Sequence, residues 1–511
     1  MPAIPTVTIT VQDQGASAAL SVPQTSVQLK VGCAIGGTVN QPYATTNPQA
    51  LQSQFIGGPL VEAGGMVCQA GNVCIAIACP LVSTGTATAV KATTPGGSTS
   101  AITTTLDSTN GAWDSYYVQI RCTVGCTIGV AGGFVQVSLD AGRNWGAPIP
   151  LGTASTLVLG AAFSPATVGG TGIQINFGAG ALVAGDSWKF STTGPTWNDA
   201  GVAAALAAFA ASQYAVQGVG SVHIVGACTS GDISAFQTNV QAWTNGYVYQ
   251  RAIVELRDAN GGGPGGTAWS GTAETEAAWL TALAAVTLGE TAQPRISADG
   301  GWYNTPSPYA NAAGGSPSYR RPLAWTHAVR RTQIGLQRRA GRVKDGPYST
   351  ITVNPAVDPT DGFVYHDERV TPGLNAARIG SALTWPKKGA GFFQCQEPLL
   401  SAPGSQFVEL AIGNVLDAAC DIGYAAGVEE VSDDLLLQAN GTLDPIELNK
   451  LQGSIQQAED QGLIQTPLAS AVKVTVSSTA NVQATGDIPI TVSVQPRGYV
   501  NSVSETINLA T

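Results

Sequence analysis

Val222-His-Ile-Val-Gly-Ala-Cys-Thr-Ser-Gly-Asp-Ile-Ser-Ala-Phe-Gln-Thr-Asn-Val-Gln-Ala-Trp-Thr-Asn-Gly246 changes its hydrophobic period in mid-course. Residues 222–227 form a short apolar run, the pattern of a buried strand. Ile233, Phe236, Val240 and Trp243 then recur at helical spacing, and Gly246 closes that helix. The alternation continues on both sides. Upstream, Asn198 is placed to cap a helix whose face carries Val202, Leu206, Phe209 and Gln213. Downstream come a strand over 248–256, a glycine loop, a helix over 274–288 closed by Gly289, and a strand over 295–297. Helix and strand alternating at this rhythm build a parallel α/β sheet.

Outward from that core the chain reads as mixed α/β (α+β) and multidomain. It has a central α/β region, a C-terminal α/β domain, strand-like terminal arms and an inserted β-sandwich or barrel-like domain. Residues 1–25 are an N-terminal arm in which Val7, Ile9 and Val11 alternate with threonines. Residues 26–80 are the first part of the core domain. They hold a strand running into the turn Gly36-Gly37, a short helix after Asn47-Pro48 ended by Gly57-Gly58-Pro59, and a strand over 73–78. Over 81–195 Thr, Ser, Gly and Val dominate and charges nearly vanish. Strands at 116–122, 134–139, 156–159, 173–177 and 188–190 recur there between glycine turns, the spacing of a sandwich or barrel. The central domain spans 196–362 and the C-terminal domain 363–487. The latter holds a helix over 407–424 and another announced by Asp444 as N-cap, Pro445 at the first helical position and Glu447 in the capping box. That second helix runs through Leu448, Leu451, Ile455 and Ala458 to Gly462. After a strand over 472–476, residues 488–511 form the last strand and arm. Ile488, Ile490, Val492 and Val494 alternate, Pro496-Arg-Gly interrupts, and Tyr499, Val503, Ile507 and Leu509 resume.

Composition narrows the function. Of 511 residues only 11% are charged, against roughly 25% in ordinary soluble domains, while 44% are hydrophobic. With a mean hydropathy of +0.13 the chain has material for a large core, which excludes disorder. A net charge of -10 argues against a dedicated nucleic-acid binder. The N-terminus lacks the basic residues and apolar run of a secretory signal. The longest apolar stretch, 202–211, is too short to cross a bilayer of roughly 30 Å. A soluble cytoplasmic start, no membrane partner and no direct nucleic-acid partner are expected.

The charge is unevenly spread. Residues 401–511 hold 13 acidic and 3 basic side chains, which accounts for the whole net charge. The acidic residues are densest at Glu429, Glu430, Asp433 and Asp434, read as a solvated or partner-facing edge. Arg320, Arg321, Arg330, Arg331, Arg338, Arg339, Arg342 and Lys344 form the basic counterpart. A helix from Pro322 would put Arg331, Arg338 and Arg342 on one face. An electrostatic match of the two regions, within or between subunits, is the expectation.

No G-x-S-x-G, Walker A loop, H-E-x-x-H or EF-hand loop is present. The run from Gly261 to Gly266 fits G-x-G-x-x-G only formally. Pro264 interrupts it and the next helix begins too late to meet a pyrophosphate, so a surface loop and no cofactor are expected. His366-Asp367-Glu368-Arg369 has no nucleophile beside it and reads as an ion-paired strand end. Cysteines stand at Cys33, Cys68, Cys74, Cys79, Cys122, Cys126, Cys228, Cys395 and Cys420. There is no C-x-x-C and no nearby histidine, so no metal site is expected. Two readings stay open for them, buried free thiols or disulfides. Cys122-Thr-Val-Gly-Cys126 would face its thiols across a hairpin formed by 117–120 and 127–130, and the odd total leaves a thiol for a neighbouring subunit. No catalytic set emerges, so the chain reads as a non-enzyme.

The order of parts resembles the contractile tail sheath proteins of bacteriophages. It comprises the arm, the turn Val31-Gly-Cys-Ala-Ile-Gly-Gly-Thr-Val-Asn-Gln-Pro leading to Phe55-Ile-Gly-Gly-Pro-Leu60, the β-rich insertion, the α/β region, and a C-terminal domain. That domain runs from Phe363-Val-Tyr-His-Asp-Glu-Arg369 to Ile488-Pro-Ile-Thr-Val-Ser-Val-Gln-Pro-Arg-Gly-Tyr-Val500. The Pro-Ala-Asn signature of many sheath proteins is absent after Thr371-Pro372-Gly373, where Trp385-Pro-Lys-Lys stands, so the resemblance is to a divergent branch. It implies a structural subunit of the virion tail, assembled in the host cytoplasm as stacked hexameric rings. The implied partners are other copies, the tail tube, the baseplate and the tail terminator. It also implies that the arms add strands to a neighbour's 488–494 strand, and that contraction consumes no nucleotide. Other virion proteins (capsid, spike or fibre) and an α/β enzyme are the alternative classes.

Overall fold

The computed structural model describes residues 25–499 apart from 95, 160–170, 260–273, 287–292, 310–317, 352–364, 390, 403–404, 407 and 432–433. Two compact units emerge, Pro23–Leu410 and Ala411–Thr511. Their boundary falls inside the stretch 363–487 that the sequence presents as one domain.

In the first unit β1 (Val27–Cys33) is buried along its whole length, as a central parallel strand should be. β2 (Tyr43–Thr45) and α1 (Pro48–Phe55) follow, with Asn47 Oδ1 accepting from Gln49 N at 2.9 Å. The Gly57-Gly58-Pro59 run, expected only as a stop, also starts a helix. Gly58 turns the chain at φ 105° and Pro59 takes the first position of α2 (Pro59–Gln69), where a missing N–H costs nothing. β3 (Val73–Cys79) lies beside β1.

The threonine-rich segment then builds antiparallel strands: β4 (Thr86–Ala87), β5 (Lys91–Thr94), β6 (Ile102–Leu106), β7 (Tyr117–Val124), β8 (Cys126–Thr127) and β9 (Phe134–Ser138). It continues with β10 (Ile149–Pro150), β11 (Thr156–Val158), β12 (Ile173–Phe177), β13 (Ala181–Leu182) and β14 (Ser187–Thr193). One sheet is ordered β10-β9-β7-β14-β4 and another β11-β12-β6. Alternate residues of both, including Val118, Ile120, Val135, Ile173, Ile175 and Phe190, share one core. The hairpin expected across Cys122 and Cys126 is corrected. β7 pairs with β9 and β14, whereas Cys126 and Thr127 pair with Leu182 and Ala181. Val118, Ile120 and Cys122 must all point inward, so distant strands of matching alternation flank β7 in place of the adjacent segment.

The period then turns helical. α3 (Asp199–Ala210) is capped by Asn198, whose Oδ1 accepts from Gly201 N at 2.9 Å. After α4 (Gln213–Gln217) and β15 (Ser221–Ala227), a Thr229/Asp232 capping box opens α5 (Ser230–Trp243). β16 (Ala252–Glu255), α6 (Glu276–Val286) and β17 (Ile296–Asp299) continue the alternation. The strands assemble as β17-β16-β15-β1-β3-β2, parallel except for β2. The chain leaves this sheet after β3 and rejoins it at β15, so the β-rich segment is inserted between strands that flank β1. α3 and α5 cover one face through Leu206, Phe209, Phe236 and Val240, packed on Leu29, Val31, Ile224 and Val254. Each such side chain, fully buried, contributes roughly 1.5–3 kcal/mol.

β18 (Trp302–Pro306) pairs with β19 (Ser318–Pro322), which leads into α7 (Leu323–Gln333) against the opposite face of the sheet; β20 (Ala382–Thr384) pairs with β21 (Phe392–Gln394). Because Ile334 is extended and Gly335 follows, α7 stops short of Arg338 and Arg342. The expected helical face of Arg331, Arg338 and Arg342 therefore does not exist.

The second unit contains α8 (Leu410–Glu429), α9 (Pro445–Glu459), β22 (Ala469–Val476), α10 (Val482–Thr485) and β23 (Ile490–Pro496). Asp444 caps α9, accepting from Ile446 N at 2.9 Å, but the expected capping box does not form: the bond goes to the second helical residue, and Glu447 Oε2 accepts from Lys450 Nζ at 3.4 Å. β22 and β23 are antiparallel, with Val472 opposite Val494 and Val474 opposite Val492, and their apolar face packs on Leu451 and Ile455.

Candidate functional site

In an antiparallel pair alternate residues turn their N–H and C=O toward the partner and the others turn theirs away. In the β22–β23 pair Ser477 N donates to Pro489 O. Val474 N instead points away from β23 and donates to Gln456 Oε1 at 2.8 Å. Odd-numbered residues therefore carry the ladder, and even-numbered ones face the two edges. Side chains of α9 fill the β22 edge. Gln456 Nε2 donates to Val472 O at 3.4 Å, and Gln452 Oε1 accepts from Val476 N at 3.4 Å. On the other edge Ile490, Val492 and Val494 have no backbone partner among the described residues. Pro496, with no N–H, terminates that edge. Of the residues expected to link subunits, Ile488, Ile490, Val492 and Val494 lie at this strand and Tyr499 is half-buried beyond it. Val7, Ile9, Val11, Val503, Ile507 and Leu509 lie outside the described residues.

The basic stretch is placed differently from its expected role as an interface. Arg320 and Arg321 are each 2% exposed; Arg320 Nε meets Asp258 Oδ2 at 2.7 Å and Arg321 Nη2 meets Asp114 Oδ2 at 2.8 Å. Arg331 is buried against Glu397 and donates to Leu336 O. Arg339 pairs with Glu409 at 2.8 Å, and Arg330 donates to Gly346 O at 2.7 Å. An unpaired buried guanidinium would cost several kcal/mol, so the fold answers these charges internally, and Arg320, Arg321 and Arg331 are withdrawn from any partner. Arg338, Arg342 and Lys344 remain exposed, the first two around Asp345. At the acidic end Glu429 and Asp434 are exposed and Glu430 is half-buried, while Asp433 lies outside the described residues. Burial, with Asp417 and Asp460 nearby, pushes the carboxyls of Asp421 and Glu459 up to about 8 and about 9.

A buried charge network is the feature that sequence reading missed. Lys30, His223, Glu255 and Asp299, one each from β1, β15, β16 and β17, are at most 2% exposed. Lys30 Nζ stands 2.7 Å from His223 Nδ1. An ammonium has no lone pair, so Nδ1 accepts and the ring proton sits on Nε2, 3.1 Å from Glu255 Oε1. Trp325 of α7 donates to the same oxygen at 2.5 Å. Burial pushes Lys30 down to about 8 and Glu255 up to about 8, and it holds His223 well below its ordinary value, helped by the Lys30 charge. Farther along α7, His327 sits between Asp299 Oδ2 at 2.6 Å and Glu397 Oε1 at 2.7 Å. Burial opposes a charge on that ring, yet the two carboxylates outweigh it and hold His327 up at about 9. Burial likewise works to raise Glu397, but Arg331 and His327 keep it below the usual carboxylate range. Ala340 N donates to its other oxygen at 2.7 Å. The network ties α7 to the sheet, and solvent does not reach it. A signal was present: each of the four strands carries one ionisable residue, Lys30, His223, Glu255 or Asp299, in a mostly apolar run.

All nine cysteines are free thiols; seven are buried, and Cys126 and Cys395 are partly so. The structure gives the disulfide reading no support. The Cys122 thiol donates to Val124 O at 3.4 Å. His366 is buried between Glu276 Oε1 at 3.0 Å and Glu368 Oε2 at 2.9 Å, but the expected ion-paired strand end is corrected: residues 365–369 form no strand, and Arg369 Nε donates to Thr384 O at 2.9 Å. The glycine loop 261–266 lies outside the described residues. Among the described residues no helix is long and apolar enough to cross a membrane, and no group of three or more His, Cys, Asp or Glu side chains is placed to hold a metal ion.

No protein-family model and no curated protein matches the chain. Among solved structures it aligns with a sheath tail protein of Desulfitobacterium hafniense at 10% identity and a TM-score of 0.45, over 93% of each chain. It also aligns with a sheath tail protein of Listeria innocua at 9% identity and a TM-score of 0.42, over 94% of this chain and 93% of that one. Likenesses of this size carry no argument about fold or function, which must rest on the residues described above.

Proposed function

We propose that the chain is a structural subunit of a contractile phage tail sheath. It polymerises as stacked hexameric rings around a tail tube and contracts to drive the tube through the host envelope. The observation that carries this reading is the asymmetric hairpin. With the β22 edge filled by Gln452 and Gln456, the Ile490, Val492 and Val494 edge is the place for an added strand. The alternating arms of neighbouring copies supply such strands, one pairing with β23 and the second with the free edge of the first. Backbone ladders of this kind hold subunits together while their packing changes, so contraction is a shift between two packings of intact subunits. Exposed Arg338, Arg342 and Lys344, with Glu429, Glu430, Asp433 and Asp434, set the register between copies. Tail tube, baseplate and tail terminator are the further partners, and the virion tail is the final location.

Deleting residues 1–14 or 499–511 tests the reading. Each truncation should leave a folded chain that forms no tubes under negative-stain microscopy, where the full chain does. Normal tubes from either truncation would overturn the arm assignment. Discrete monomers with turnover from the full chain would favour an enzyme, and closed shells or fibres another virion protein.

A further inference from the structure

Cys68 and Cys74 are brought together by the turn from α2 into β3. Cys68 lies in the last turn of α2 and Cys74 is the second residue of β3. Two separate contacts bring both sulfurs into the seam between α2 and the β2–β3 pair. The Cys68 thiol donates to Thr45 O at 3.5 Å, and Thr45 is the residue directly opposite Cys74 in the β2–β3 ladder. Cys74 Sγ lies 3.1 Å from where a Cβ would stand on Gly64, one helical turn before Cys68 on the same side of α2. Glycine at 64 is what admits the sulfur to that face.

The pair is chemically unequal. The Cys74 thiol stabilises the Cys68 thiolate, and the Lys30 charge adds to this, so Cys68 is held below its ordinary value although burial opposes it. The neighbouring Cys68 and burial hold Cys74 well above its own. Cys68 keeps 5% of its surface exposed and Cys74 none. Cys33 and Cys79, aligned across β1 and β3, provide a contrast. Burial alone pushes Cys33 up to about 12, and burial with Cys33 beside it raises Cys79 further. Both are inert by comparison, since the thiolate is the reactive form.

We propose that Cys68 and Cys74 form a peroxide-reactive dithiol site that closes to a disulfide between α2 and β3. The Cys68 thiolate attacks one oxygen of hydrogen peroxide and the O–O bond breaks, leaving a sulfenic acid and one water once the displaced hydroxide takes up a proton. The Cys74 sulfur then attacks the Cys68 sulfur, the S–O bond breaks, and the hydroxyl leaves as a second water with the Cys74 proton. Two thiols and one peroxide give one disulfide and two waters; the sulfurs lose two electrons and the peroxide oxygens gain them. The site does not depend on the sheath reading.

The test treats the full folded chain with hydrogen peroxide, alkylates the remaining thiols after denaturation, and maps the cysteines by mass spectrometry of a peptic digest. The expected result is a Cys68–Cys74 link lighter by two hydrogens, reversed by dithiothreitol and formed before any change at Cys33 or Cys79. Finding both Cys68 and Cys74 alkylated after treatment, or Cys68 as a sulfinic acid beside an alkylated Cys74, overturns the proposal. In a Cys74→Ser variant the Cys68 oxidation should run on to the sulfinic acid; persistence of a dithiothreitol-reversible intramolecular link to Cys68 would also overturn it. If that variant does not fold, the map of the unaltered chain decides alone.

Discussion

The six-stranded sheet of the first unit and the two-stranded sheet of the second treat their polar groups in opposite ways. In the larger sheet Lys30, His223, Glu255 and Asp299 sit inside, and partners from α7 and the Glu397 segment answer them. The smaller sheet has few charges, and it leaves the outward backbone groups of Ile490, Val492 and Val494 unanswered by any described residue. Charge density in the sequence pointed to the arginine stretch as the place where another chain would bind. The fold answers Arg320, Arg321, Arg330, Arg331 and Arg339 internally and leaves Arg338, Arg342 and Lys344 exposed.

The largest effect that would sharpen this comparison is expected at Glu397. Glu397→Ala strands His327, Arg331 and the Ala340 N–H together, and breaking a buried pair this way costs roughly 3–5 kcal/mol. The denaturant midpoint of the full chain reads it; a loss under about 1 kcal/mol would mean that the network does not hold α7.

Next comes the phase of the hairpin. Ser493→Pro removes a ladder donor and should destabilise the second unit by about 2–3 kcal/mol, whereas Val494→Pro removes only an outward donor and should cost under about 1 kcal/mol. Their effects on assembly should not follow that order, because Val494→Pro leaves the unit folded yet blocks strand addition. Equal destabilisation by both would show that the parity assigned to β23 is wrong.

His327→Gln should cost about 2 kcal/mol near neutral pH, through lost charge-assisted hydrogen bonds to Asp299 and Glu397. The imidazolium is held up at about 9, so the folded state binds the extra proton between the ordinary histidine value and that one. The stabilisation is complete below about pH 6.5 and is lost as pH rises through about 9. Comparing unfolding of the two proteins from pH 6 to pH 10 checks this, and a constant difference across the range would contradict it. Gln456→Ala should cost less than His327→Gln, about 1 kcal/mol, and uncovers Val474 N–H on the second edge. If strand addition then occurs on both edges, tubes of the variant should bundle or branch under the microscope.

Much of the local structure was legible. The caps Asn198 and Asp444 and the helix face of Ile233, Phe236, Val240 and Trp243 stand where the sequence puts them. These depend on neighbours within a turn or two, and the residue types declare them. The Gly57-Gly58-Pro59 run was only half legible, because glycine and proline punctuate both the end of one helix and the start of the next. The hairpin across Cys122 and Cys126 failed because a short connection predicts pairing only where no distant strand fits the buried alternation better.

By itself the sequence determined the periods, the caps, the threonine-rich insertion and the alternating residues of β23, all of which follow from side-chain size, branching and hydrogen bonds to near neighbours. Only the tertiary structure decided which arginines are internal, which carboxyls are pushed above their ordinary range and which of two strand edges the described side chains fill. Those outcomes depend on groups far apart in the chain. Arg321 meets Asp114, His327 meets Glu397, and Gln456 turns one edge of a two-stranded sheet into a closed one.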